Sequence, residues 1–231
     1  MFNDIDSRTM GIVLEGEVPV QRGRERVTQV TIPGRAGVLT LLEGEDVFES
    51  YIQTATIAAK GTGADMRKIE SWLRGEGYVT FSSDSTHRQK ARIINGVVLT
   101  RVSPLLDWYK ASIQFYCDPF KEDLAQTSQV LTGAGEVINL GDVIEKPVFV
   151  IRGRGDVVLT VNGEDFVIAN LTAEQQGCVI DTDAQMVANL NGTQLITTQT
   201  TGEFPVLRVG RNEVSFTGAD SVVIERRERF L

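Results

Sequence analysis

The sequence predicts a mainly β protein of two domains: an N-terminal α+β domain, a sheet with one packed helix, followed by a C-terminal β-sandwich. Three observations carry this expectation. Apolar residues recur mostly with period two, which alternates side chains between the faces of a strand. One stretch alone has a helical period. Beyond residue 146, short strands follow one another with turn signals and no helical stretch between them.

In VTQVTI, Thr28, Val30 and Ile32 share one face, and Pro33-Gly34 ends the strand. YVTF (Tyr78 to Phe81) and KASIQFY (Lys110 to Tyr116) alternate as well, the latter with Ala111, Ile113 and Phe115 on one side. All three read as half-buried strands. The helix is expected over Ala64 to Arg74, where Met66, Ile69, Trp72 and Leu73 form one apolar stripe able to cover a sheet face. Asp65 suits its first turn and Arg74 its last, and Gly75 is placed to follow its end.

Across residues 121–146 the pattern loosens, in a stretch that opens KEDLAQTSQVLTGAGEVINLGDVI, which reads as a linker or domain start and gives domains 1–120 and 121–231. Val157, Leu159 and Val161 then alternate up to Asn162-Gly163, and Phe166 and Ile168 continue beyond it. Asn-Gly between alternating strands is a strong hairpin signal. A second Asn-Gly stands at Asn191-Gly192, and SVVIE (Ser221 to Glu225) reads as the final strand. In GEFPVLRVGRNEVSFTGA, Gly210-Arg211-Asn212 reads as a turn into a strand carrying Val214 and Phe216, with Pro205 at the start or edge of a preceding strand.

Composition bounds the function. The 231 residues are 42% hydrophobic and 23% charged, the balance of a soluble globular protein. No apolar run approaches the roughly 20 residues needed to span a bilayer. The start, MFNDIDSRTM, has neither a basic nor an apolar leader segment, so synthesis in a cytoplasm is expected. Cys117 and Cys178 fall on opposite sides of the domain boundary and read as reduced and buried.

The net charge of −8 argues against a nucleic-acid binder. Residues 1–120 carry 14 Lys+Arg against 15 Asp+Glu, and residues 121–231 carry 9 against 16. Arg22, Arg24 and Arg26 would share one face of a strand, as a solvated face or as a polar contact with a neighbouring subunit.

Candidate chemistry is sparse. His87 is the single histidine, and no Cys or Glu stands at a metal-ligand spacing from it. Ser83, Asp84 and Ser85 lie nearby, yet no G-x-S-x-G turn occurs to activate a serine. Gly61-Thr62-Gly63 and Gly153-Arg154-Gly155 lack the remainder of a phosphate-binding signature and read as turns. Asp181-Thr182-Asp183 lacks the glycine and glutamate of a calcium loop. Trp72 belongs to the helix stripe, and Trp108 follows a Pro-Leu-Leu-Asp turn. No catalytic, cofactor-binding or metal-binding residue is assigned, and an enzyme is not expected.

Motif order supplies the rest. Pro33, Gly34, Arg35 and Gly37, then Phe81 to Asp84, then Cys117 and Pro119 recur in the order found in the N-terminal belt domain of siphophage distal tail proteins, which the first half resembles. In the second half Asn139, Gly141 and Pro147, the Val161 to Gly163 hairpin, and Gly202, Phe204, Pro205, Leu207, Gly210 and Asn212 resemble the galectin-like β-sandwich of the same family.

The resemblance implies a structural virion protein of the tail tip or baseplate, assembled in the bacterial host cytoplasm. It implies a ring, typically a homo-hexamer, made by the belt domain at the end of the tail tube. Its implied partners are the tail tube protein, a tail-associated hub protein and receptor-binding or baseplate proteins. The alternative is a carbohydrate-binding tail or adhesin module. A galectin-type sugar site would need His, Asn, Arg and Trp on one concave face, and residues 121–231 contain neither His nor Trp.

Overall fold

The computed structural model describes residues 1–231 apart from Glu45, Pro104, Ala173 and Glu174. The chain divides into two compact units, Met1–Glu122 with Leu231, and Asp123–Phe230.

In the first unit, strands β1 (Ile12–Leu14), β2 (Val27–Thr31), β3 (Val38–Leu42) and β4 (Tyr51–Lys60) precede helix α1 (Gly63–Trp72). Strands β5 (Glu76–Val79), β6 (His87–Ile93), β7 (Thr100–Ser103) and β8 (Leu106–Asp123) follow. The main sheet has the order β1-β4-β8-β6-β5, with β7 beside β8. Period-two alternation sends Ala55, Ile57 and Ala59 of β4 and Ala111, Ile113, Phe115 and Cys117 of β8 into one core. Met66, Ile69 and Leu73 close that core from the helix side. The opposite face carries Thr54 and Thr56 beside Gln114 and Ser112.

Helix α1 ends at Trp72, two residues before the predicted Arg74, which therefore lies outside its last turn, and it begins one residue earlier than the stripe predicts, for a reason visible in its cap. Thr62 accepts from the Asp65 amide while the Asp65 carboxylate accepts from the Thr62 amide, a reciprocal capping box. Gly61-Thr62-Gly63 is therefore the lead into a helix rather than a free turn. Gly75 takes φ 81° just past the helix end. Trp72 is half-buried and donates from Nε1 to the Phe2 carbonyl at 3.1 Å.

The second unit contains β9 (Thr127–Leu131), β10 (Gly135–Asn139), β11 (Val148–Val161), β12 (Glu164–Leu171), β13 (Gly177–Asp181), β14 (Met186–Asn189), β15 (Thr200–Thr201) and β16 (Gly210–Arg226). The long strands β11 and β16 pair with each other and serve two layers. The first half of β11 takes β13 as its other partner, and the second half takes β12. Register shifts between Arg152 and Val158 mark the bend. There Gly218 takes φ 75°, and a Cβ on it would lie 2.0 Å from the Asp156 carbonyl oxygen. Phe149, Ile151, Ile180, Val222 and Ile224 of one layer meet Leu159, Val161, Phe166, Ile168 and Val214 of the other in a single core. This is a β-sandwich whose layers share their two longest strands.

Several expectations are corrected. Residues 121–146 are not a linker: β9 and β10 lie within them and pair along β16. Gly153 and Gly155 sit inside β11 at its bend, not in a turn. Gly210 and Asn212 open β16 instead of preceding it, and Leu207 makes only an isolated bridge to Glu145 where a strand was expected before them. Asn162 and Gly163 do form the predicted hairpin turn, with φ 52° and 85°.

Candidate assembly surface

The expected half-buried strand at Thr28 to Ile32 is instead exposed. Strands β2 and β3 pair in a two-stranded sheet of their own, from Val27 opposite Leu42 to Thr31 opposite Val38. Pro33 and Gly34 are the central residues of the connecting turn. Gly34 takes φ 82°, and the Arg35 amide donates to the Ile32 carbonyl at 3.1 Å, the geometry of a type II turn.

Apolar side chains stand on both faces of this hairpin. Val27, Val38 and Leu42 lie on one face, Val30, Ile32 and Leu41 on the other. Leu42 is 65% exposed, Val38 49% and Leu41 48%. A two-stranded ribbon with no sheet face packed against it is marginal in water.

The root of the arm is held firmly. The Glu49 amide donates to the Arg24 carbonyl at 2.8 Å and the Arg26 amide to the Val47 carbonyl at 2.9 Å. Phe48 packs edge-on against Phe120 with ring centroids 5.7 Å apart. A Cβ on Gly23 would lie 2.7 Å from Pro119 Cβ, so only glycine lets the chain lie this close to β8. Arg22 and Arg24 flank that glycine outside any strand, which overturns the expectation of three arginines on one strand face. They line an open groove of about 440 Å³ with Gln21, Glu49, Ser50 and Tyr51, whereas Arg26 approaches Glu43 at 3.8 Å.

A second exposed apolar segment of the same unit is the β7–β8 hairpin, where Leu105 is 92% exposed beside Val102, Leu106 and Trp108. The predicted Pro-Leu-Leu-Asp turn there includes Pro104, which lies outside the described residues.

The sequence's chemical candidates serve structure. His87 Nδ1 lies 2.6 Å from Asp84 Oδ1, and Lys121 Nζ lies 3.0 Å from Asp84 Oδ2, which ties the β5–β6 loop to β8. Burial works to raise the Asp84 pKa, but hydrogen bonds from His87 and Lys121 outweigh it and hold the carboxyl below its ordinary value. Asp181 Oδ1 accepts from the Ala184 amide, and Asp183 pairs with Lys146 and Arg229. Among the described residues no group of three His, Cys, Asp or Glu side chains is placed to hold a metal ion. Cys117 and Cys178 are free and buried, and burial pushes both thiols up to about 12.

Over its whole length the chain matches the crystal structure of the SPP1 Dit protein (gp 19.1), with a TM-score of 0.76 and 17% sequence identity. The match covers 100% of this chain and 98% of that one. The fold is that of a siphophage distal tail protein. SPP1 Dit is described as a paradigm of the hub adsorption apparatus in phages that infect Gram-positive hosts. No protein-family model and no curated protein matches the sequence. Within the distal tail protein fold, Pro33 to Gly37 occupy the tip of the exposed arm, and Asn212 lies buried in the sandwich. Sequence reasoning missed the arm itself, because alternation reports that a strand has two faces and not what covers them.

Proposed function

We propose that the chain is a structural component of a phage tail tip, a distal tail protein whose first unit closes into a homo-hexameric ring at the end of the tail tube. The observation that carries this reading is the match of both units, end to end, to the SPP1 hub protein. The arm of β2 and β3 supports it independently. A head-to-tail contact repeated around an axis buries the arm of each copy on the next and leaves no arm uncovered once the ring closes. The second unit then serves as the platform on which hub and receptor-binding proteins dock, and the particle matures in the host cytoplasm. Electron microscopy of the purified chain tests the ring: six-fold closed rings are expected, and single separate chains at every concentration would refute it.

A further inference from the structure

One face of the C-terminal sandwich carries a feature that ring closure leaves unexplained. Five strands place Val130, Val223, Val150, Val179 and Ala188 opposite one another in register, and Leu195 bridges to Ala188 at the end. Their chain neighbours Leu131, Val222, Ile151 and Cys178 fill the core, so the row itself faces away from it. Val130 is 61% and Leu195 63% exposed, and the four between them are part-exposed. With strands about 4.8 Å apart, the row runs about 24 Å straight across the sheet.

The margins of the row differ in charge. Two residues along the strands on one side, Val148 lies between Glu225 and Asp181. Two residues along on the other side stands Arg152, exposed and paired in register with Ser221 and Gly177. An apolar stripe is thus bordered by two carboxylates on one edge and a guanidinium on the other.

We infer that this row docks an extended segment of a different tail-tip protein, apolar along its centre and basic on the edge that meets Asp181 and Glu225. The inference rests on the tail-tip reading. About seven extended residues span 24 Å and put every second side chain on the row. A segment crossing the strands near a right angle is the geometry of orthogonal sheet packing.

A second copy fits less well. A strip one side chain wide offers well under the roughly 800 Å² that each partner of a stable pair buries. Residues 121–231 also carry 16 acidic side chains against 9 basic, so two such units repel. A sugar fits worse still, because residues 121–231 contain no Trp, Tyr or His and the row itself holds no aromatic ring to stack on a glycan.

Thiol protection in the full chain tests the inference. Because Cys117 and Cys178 are buried, an introduced surface thiol is the fast-reacting site for a maleimide. Val223→Cys, with Val130→Cys as a second variant at the exposed edge, is compared between the free protein and tails assembled with the other tail proteins of the same genome. Thr217→Cys, on an exposed position of the other layer, is the control. We expect row thiols to label readily in the free protein and at least tenfold more slowly in tails, with the control equal in both. Asp181→Lys combined with Glu225→Lys is expected to remove the protection. Equal labelling of row thiols in both states overturns the inference, as does protection in the free protein that grows with its concentration, the mark of a second copy. Protection that survives the double charge reversal overturns the basic edge. If the chain is absent from the tails, the tail-tip reading fails by that separate result and the inference falls with it.

Discussion

Asn162 donates from Nδ2 to Asn212 Oδ1 across 2.7 Å, tying the β11–β12 turn to the head of β16. Asn212 is fully buried; it also accepts from the Arg208 amide at 2.8 Å and donates to the Arg208 carbonyl at 2.7 Å. Asn212→Ala leaves these backbone groups without their partner. An unmet buried group costs about 1–3 kcal/mol; because Arg208 is itself exposed and water reaches it, a loss of about 1–3 kcal/mol is expected, read as a lower urea midpoint for the second unit. Asn162→Ala, at a part-exposed position, is expected to cost less.

Gly218 and Gly163 both have positive φ, at 75° and 85°, but only Gly218 is crowded. A Cβ on Gly163 meets nothing within 4 Å. Gly163→Ala is expected to cost only the left-handed strain, about 1–2 kcal/mol. Gly218→Ala must also displace the Asp156 carbonyl and is expected to cost more than about 4 kcal/mol. Thermal melts of the two variants separate strain from collision.

Glu145 and Glu228 share Arg226 Nη1, at 3.4 and 3.0 Å, inside the second unit. Glu145 Oε1 and Arg226 Nε are buried without a hydrogen-bond partner among the described residues. Arg226→Met leaves two buried carboxylates without their cation and is expected to cost about 3–5 kcal/mol in urea unfolding.

The same site sets a pH dependence. Burial raises the Glu145 pKa above its ordinary value, against the pull of Arg226. The folded chain therefore holds this proton more tightly than the unfolded chain, and the contribution of Glu145 becomes more favourable as pH falls through its folded pKa. That gain is complete below the unfolded value and lost as pH rises. Urea midpoints at pH 7.5 and pH 5 check the sign: relative to Glu145→Gln, the wild-type chain is expected to gain stability at the lower pH.

How much of this was legible follows from what each pattern encodes. Met66, Ile69, Trp72 and Leu73 announced the helix because their stripe agrees with Asp65 in its first turn, although Arg74 falls beyond its end, and Asn162-Gly163 announced its hairpin because that turn demands those residues. Strands β9 and β10 were hidden: TSQVL and GEVIN are short and polar, and each is stabilised by pairing along β16 rather than by its own alternation. The long strands β11 and β16 read as separate pieces, since Gly153, Gly155 and Gly218 interrupt the pattern where the strands bend between layers. The turn at Pro33-Gly34 was plain in the sequence. The exposure of Val30, Leu41 and Leu42 around it was not, because apolar alternation looks the same whether a core or a neighbouring molecule covers it.

If the arm of β2 and β3 joins one copy to the next, size-exclusion chromatography with light scattering reads the joint out as mass. The wild-type chain is expected to elute as one species of six 25.4-kDa chains. Leu41→Lys, on an exposed position outside the core of its unit, is expected to give monomers with an unchanged circular dichroism spectrum. A wild-type chain that stays monomeric from micromolar to millimolar concentration, or a Leu41→Lys variant that still forms the full ring, would rule out the arm as the joint between copies.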